Sequence, residues 1–170
     1  MEYKVIRKQY NSEMCFVCGL QNDAGLHTHF YELENQSLLG VFKGLDVHQS
    51  YPKRMHGGII SALLDETVGR AIVIHEPETW GVTAELTIRY LKPVPLHEEL
   101  RVVGNITNIR SRMFEGEGYL CDTQGNILAT CIGKYIKQSV KAIIKDSNFV
   151  EEEWIFVEDS IPTLSFHLPK

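Results

Sequence analysis

Met55-His56-Gly57-Gly58-Ile59-Ile60-Ser61-Ala62-Leu63-Leu64-Asp65-Glu66-Thr67-Val68-Gly69-Arg70-Ala71-Ile72-Val73-Ile74 is the stretch on which the fold turns. Ile60, Leu63, Leu64, Val68, Ala71 and Ile72 recur at steps of three and four, so the spacing predicts one long helix over Gly57–Ile74 with a buried apolar stripe. Beside it, Gly58, Ser61, Ala62, Asp65 and Gly69 form a second stripe of small residues carrying one carboxylate, a face that another group approaches closely. Pro77 bars any continuation, and His75-Glu76-Pro77-Glu78 reads as the exit loop.

Downstream of this helix the period changes from 3.6 to 2. Val82–Leu91, Leu100–Ile109, Met113–Asp122 and Ile127–Lys137 read as four successive strands; in the first, Val82, Ala84, Leu86, Ile88 and Tyr90 alternate with Thr83, Glu85, Thr87 and Arg89. Thr123-Gln124-Gly125-Asn126 is a hairpin signal, Ile109-Arg110-Ser111-Arg112 is a tight link, and Lys92-Pro93-Val94-Pro95 is unfit for a central ladder. An antiparallel meander is the expected arrangement. Upstream, Leu26–Leu33 and Ser37–Phe42 form a hairpin around Glu34-Asn35-Gln36. Two strands, a helix and four strands indicate an α+β fold in which an antiparallel sheet wraps one long central helix. Residues 1–137 form that domain, and 138–170 are read as a C-terminal extension of unassigned role, with room for a short helical or strand piece.

The chain has 170 residues, enough for one domain with a real core and too few for two ordinary ones. Apolar residues at 44% and charged residues at 23% exclude wholesale disorder. The net charge of −5 comes from the extension, where residues 146–170 hold six carboxylates against Lys170; the body carries sixteen charges of each sign. A neutral body offers no broad basic field, so nucleic acid is not an expected partner. No apolar run is long enough to span a membrane and the opening lacks a signal-peptide core, so no membrane partner is expected and the expected location is cytoplasmic. In that setting Cys15, Cys18, Cys121 and Cys131 are reduced thiols. Cys15-Phe16-Val17-Cys18-Gly19 has the spacing of half a zinc ribbon, but the second close pair is missing. It is read as a compact turn with two semi-buried thiols and no metal, a redox pair or a zinc site shared with a partner subunit being the alternatives. His27-x-His29 is read as strand surface.

Gly57 and Gly58 open the helix, where backbone N–H groups lack intrahelical partners and are able to polarise a carbonyl oxygen set against the positive end of the helix. Asp65 sits among Ala62, Leu63, Leu64 and Val68, where a carboxylate costs desolvation energy; catalysis is one reason for it, and a solvent-facing or loop-capping aspartate is the other. Eight residues at about 1.5 Å each place Gly57 and Asp65 of one helix roughly 12 Å apart, too far to serve one carbonyl. Antiparallel packing of two helices across a two-fold axis brings Gly57 of one subunit to Asp65 of the other, so an obligate dimer is expected.

His56-Gly57-Gly58, Asp65, and Thr83-Ala84-Glu85-Leu86-Thr87-Ile88-Arg89-Tyr90-Leu91-Lys92-Pro93 together resemble the hotdog-fold acyl-CoA thioesterases, in particular the phenylacetate-pathway branch, whose opening Cys15-Phe16-Val17-Cys18-Gly19 with Asn22 and Gly25-Leu26 also resembles. The likeness spans about residues 15–137. It implies a hydrolase cleaving a thioester in a homodimer or dimer of dimers, with coenzyme A as part of the substrate and no separate cofactor. Carried over by position, it implies Gly57 as oxyanion donor, His56 as a catalytic-site residue that shapes that loop and holds the acyl carbonyl, Asp65 as general base or nucleophile, and Gly58 and Thr83 beside the substrate. Ser50 stands where relatives often carry Asn or Gln, which leaves open whether Ser50 or Gln49 assists. Arg110 and Arg112 are the candidate contacts for the coenzyme phosphates. A thiolate leaves readily, its conjugate acid having a pKa near 8.5, so oxyanion donor plus base suffice for the chemistry. A non-catalytic acyl-CoA sensor and an enoyl-CoA hydratase or dehydratase on the same scaffold are the alternatives.

Overall fold

The computed structural model describes residues 1–143, the backbone of 154–155, and residues 165–169; the acidic residues assigned to the extension lie outside the described residues. In chain order the elements are β1 (Glu2–Lys8), β2 (Asn11–Ser12), β3 (His29–Leu33), β4 (Leu38–Lys43), α1 (Gly57–Arg70), β5 (Thr79–Tyr90), β6 (Glu99–Ile109), β7 (Met113–Asp122), β8 (Ile127–Ser139), α2 (Val140–Ile143), β9 (Trp154–Ile155) and β10 (Ser165–His167). The expected α+β arrangement is present. The α-helix stops at Arg70 and tightens into a 3-10 turn over Ala71–Ile74, where the His75 and Glu76 N–H groups both bond to the Ile72 carbonyl as the chain turns toward Pro77. The strand expected from Leu26 begins only at His29, because His27 takes φ 50°, a left-handed conformation that interrupts extended backbone.

Eight strands form one antiparallel sheet in the order β10-β1-β3-β4-β6-β7-β8-β5. This corrects the simple meander. β6, β7 and β8 follow one another, but β5 pairs with β8 and β4 takes the place beside β6. The reason lies in the link over 91–98, which is no hairpin: Leu91 and Lys92 N–H bond to Leu128 O, Val94 O accepts from Met55 N–H, and Val94 and Leu96 are buried. The prolines of that link therefore cross the sheet end and carry the chain from the β5 edge back to the middle.

α1 packs on the sheet against β4 to β8, and all six residues of its expected stripe are at most 4% exposed. Gly104 on β6 makes this approach possible, since a Cβ there would lie 2.9 Å from the Thr67 carbonyl oxygen. A second apolar cluster, Val5, Tyr31, Leu33, Leu39, Val103 and Leu168, lies apart from the helix-facing core. It explains why β3 is buried almost throughout, with Phe30 in the helix-facing core and Tyr31 and Leu33 in the second cluster. It also ties β10 to the domain through Phe166 and Leu168. β1 escapes a reading by alternation because a register shift between Val5 and Arg7 leaves Ile6 exposed. No helix among the described residues is long and apolar enough to cross a membrane.

Candidate active site

His56 caps α1: its backbone is extended (φ −66°, ψ 137°) and its Nδ1 accepts the Gly58 N–H at 2.9 Å. That bond commits one ring nitrogen to the loop. The Gly57 N–H, by contrast, meets no acceptor among the described residues, although the Gly57 carbonyl takes hydrogen bonds from Ser61 Oγ at 2.9 Å and Tyr90 OH at 3.1 Å. Gly57 is thereby fixed through its oxygen rather than through its amide hydrogen. The loop before it is built on buried His48, whose Nδ1 accepts the Leu45 N–H and whose Nε2 lies 2.9 Å from Ala24 O; the His48 carbonyl in turn accepts the His56 N–H.

Two turns along α1, Asp65 reaches the sheet. Thr83 Oγ1 stands 2.9 Å from Asp65 Oδ1 and 3.0 Å from Oδ2, and Tyr135 OH lies 3.2 Å from Oδ1. Thr83 on β5 and Tyr135 on β8 are directly paired across the strands, so the register alone delivers both hydroxyls to one carboxylate. Tyr135 is completely buried and stacked on Phe114, with ring centroids 5.0 Å apart. Burial, and then the charge of Asp65, pushes the Tyr135 phenol well above its ordinary range, so it remains a proton donor to the carboxylate.

Next to Asp65, Glu66 faces a cavity of about 1120 Å³ whose wall includes Asp65, Thr83, Cys15, Cys18, Arg70 and Trp80. Its side chain opens to that cavity and is otherwise enclosed by protein, which pushes its carboxyl up to about 7; Arg70, 3.3 Å away, opposes the shift. Arg70 is itself held by Gln9 Oε1 at 2.9 Å and Tyr10 O at 2.5 Å. The Cys15 thiol hydrogen-bonds to Cys18, which together with Arg70 holds the Cys18 thiol below its ordinary range.

The expected site residues thus fall into three places. His56, Gly57 and Gly58 gather at the start of α1, Asp65 and Thr83 meet at the cavity, and Arg110 and Arg112 lie exposed on the β6–β7 turn, away from the cavity lining. Ser50 is exposed in the loop over 49–55 and its N–H bonds to Arg54 O; the Gln49 side chain is occupied by the Lys53 N–H at 2.9 Å. Tyr90, Tyr135, Glu66 and Arg70 were not singled out by the sequence. The small-residue stripe is the signal that points to the two tyrosines: Tyr90 OH meets Ser61 Oγ at 2.6 Å, and the Tyr135 ring covers Gly69.

The thioesterase superfamily profile matches residues 53–129, the stretch holding α1 and β5 to β7. That stretch resembles the thioesterase superfamily, and the chain has the hotdog thioesterase fold. The acyl-coenzyme A thioesterase THEM4 of Mus musculus is 31% identical over 83 residues, which are 49% of this chain and 35% of that protein. The match therefore spans about a third of that relative. Among solved structures, a thioesterase superfamily protein superposes with a TM-score of 0.67 at 26% identity, covering 72% of this chain and 59% of the other. A Bacillus halodurans protein crystallised with CoA gives 0.54 at 27% identity, covering 59% and 66%.

Proposed function

We propose that the chain hydrolyses acyl-CoA thioesters to a free acid and coenzyme A. The observation that carries this reading is the carboxylate of Asp65, clamped by two hydroxyls in the wall of a large cavity, on a helix whose first amide hydrogen meets no acceptor among the described residues. CoA bound to the Bacillus halodurans neighbour and the acyl-coenzyme A thioesterase name of the mouse relative support the substrate class.

Asp65 acts as general base, taking a proton from water as its oxygen attacks the thioester carbon; direct attack by the carboxylate is the other form of the step. Thr83 and Tyr135 orient the carboxylate and leave its remaining lone pairs toward the cavity. The developing oxyanion takes the Gly57 N–H, assisted by the positive end of α1, and collapse expels the coenzyme thiolate. Gly57 and Asp65 are eight residues apart on one α-helix, so the two groups that meet at one ester come from two subunits. β5 supplies the dimer contact: it is the last strand of the sheet, with no further partner among the described residues. His56 keeps the helix start in shape, and Arg110 and Arg112 hold the coenzyme phosphates.

Thiol release from a panel of short, long and aromatic acyl-CoAs tests the reading. Asp65→Asn is expected to lower kcat by about 10²- to 10⁴-fold. Equal rates in variant and wild type would remove Asp65 from the mechanism, and no thiol release by the wild type with any acyl-CoA would remove the activity.

A further inference from the structure

Cys15 and Cys18 were set aside as half of a zinc motif without its second half. The fold supplies a third donor from elsewhere. The Sγ atoms of Cys15 and Cys18 and one carboxylate oxygen of Glu66 lie within 4.8 Å of one another, the thiols from the turn before β3 and the carboxylate from α1. Ligands around one zinc ion, bound at about 2.0–2.3 Å, stand roughly 3.3–3.8 Å apart, so closing on an ion takes about an ångström of side-chain movement.

The turn is already built as a thiolate holder. The Gly19 N–H bonds to Cys15 O at 2.7 Å, which sets the two cysteines on one helical turn, and the Val17 N–H donates to Cys15 Sγ at 3.4 Å. Ser12 braces the same turn, accepting the Cys15 N–H at 3.0 Å and reaching Cys18 Sγ at 3.8 Å. Asn11 fixes its base by donating to Cys18 O at 2.7 Å and Thr28 O at 2.9 Å. On the other side, Arg70 bonds Glu66 through Oε1, which leaves Oε2 without a donor among the described residues.

We propose that Cys15, Cys18 and Glu66 form a binding site for a divalent cation of the zinc class, with its fourth position open to the cavity. Two thiolates select zinc over the oxygen-seeking magnesium and calcium ions. Charge closes as well: two thiolates and one carboxylate are balanced by a divalent ion and the Arg70 guanidinium, which acts as an outer hydrogen-bonding partner to the ligating carboxylate. Binding releases the thiol protons to solvent. The donors are distinct from Thr83 and Tyr135, which hold Asp65, so the site stands whether or not the chain cleaves thioesters.

The test uses the full chain, purified under a non-chelating reductant, stripped with a chelator and titrated with Co²⁺. Thiolate-to-cobalt charge-transfer absorption and tetrahedral d–d bands are expected, saturating at one ion per chain and abolished by Zn²⁺. Cys18→Ser is expected to remove most of the charge-transfer absorption, and Glu66→Gln to keep it while weakening Zn²⁺ by about 10- to 100-fold in competition with a chromophoric chelator. Zinc-edge X-ray absorption of the wild type, which needs no variant, is expected to show two sulfur scatterers at about 2.3 Å. Wild-type protein without charge-transfer bands, a zinc shell of nitrogen and oxygen only, or a folded Cys15→Ser/Cys18→Ser variant with an unchanged cobalt spectrum would each overturn the proposal.

Discussion

At the scale of single residues, two hydroxyls and one amide do most of the positioning. Tyr135 OH reaches Asp65 Oδ1 from a fully buried ring, so its removal separates orientation from packing. Tyr135→Phe keeps the stack on Phe114 and deletes only the donor. It is expected to lower kcat about tenfold with KM little changed, and to cost about 1 kcal/mol in urea unfolding. Loss of stability without loss of kcat would make Tyr135 a core residue and nothing more. The sequence exposed Asp65 and Gly57, because a carboxylate in an apolar helix and a glycine pair at its start are local anomalies. Tyr135 gave no such anomaly: a tyrosine in a strand is ordinary, and its role depends on being paired with Thr83 from 52 residues earlier.

At the scale of elements, close approach of α1 to the sheet sets the depth at which Asp65 meets Thr83. Gly104 on β6 is the contact point, with the Thr67 backbone 2.9 Å from where a Cβ would stand. A backbone neighbour cannot rotate away, so Gly104→Ala is expected to destabilise by about 1–3 kcal/mol in urea unfolding. A variant as stable as wild type would show that the helix is free to shift. The helix, β6, β7 and β8 were legible because periodicity and turn residues are local. Strand order was not: β5 lies next to β8 because buried Val94 and Leu96 route the link across the sheet end, a tertiary fact with no signature in alternation. β1 and β10 stayed unread for a related reason, one having a shifted register and the other pairing across nearly the whole chain.

At the scale of the whole molecule, the proposed pairing of Gly57 with Asp65, eight residues apart on α1, calls for two copies in a working site. Light scattering is expected to give a mass of about twice 19.4 kDa or a further doubling, and a monomer that hydrolyses thioesters at full rate would end the composite-site reading. A subunit-mixing measurement tests it most directly. Gly57 is the first residue of α1, follows extended His56, and has room for a Cβ, the nearest atom being 3.6 Å away on Tyr90. Proline is favoured at that position and lacks the N–H, so Gly57→Pro deletes the oxyanion donor while keeping the helix. Asp65→Asn and Gly57→Pro proteins, each alone, are expected to be at least about 10²-fold slow. Unfolded together and refolded as an equal mixture, they should recover roughly a quarter of wild-type activity, since half the dimers are mixed and each mixed dimer carries one site with both groups intact. An equal mixture no faster than the average of its two parents would contradict the shared site.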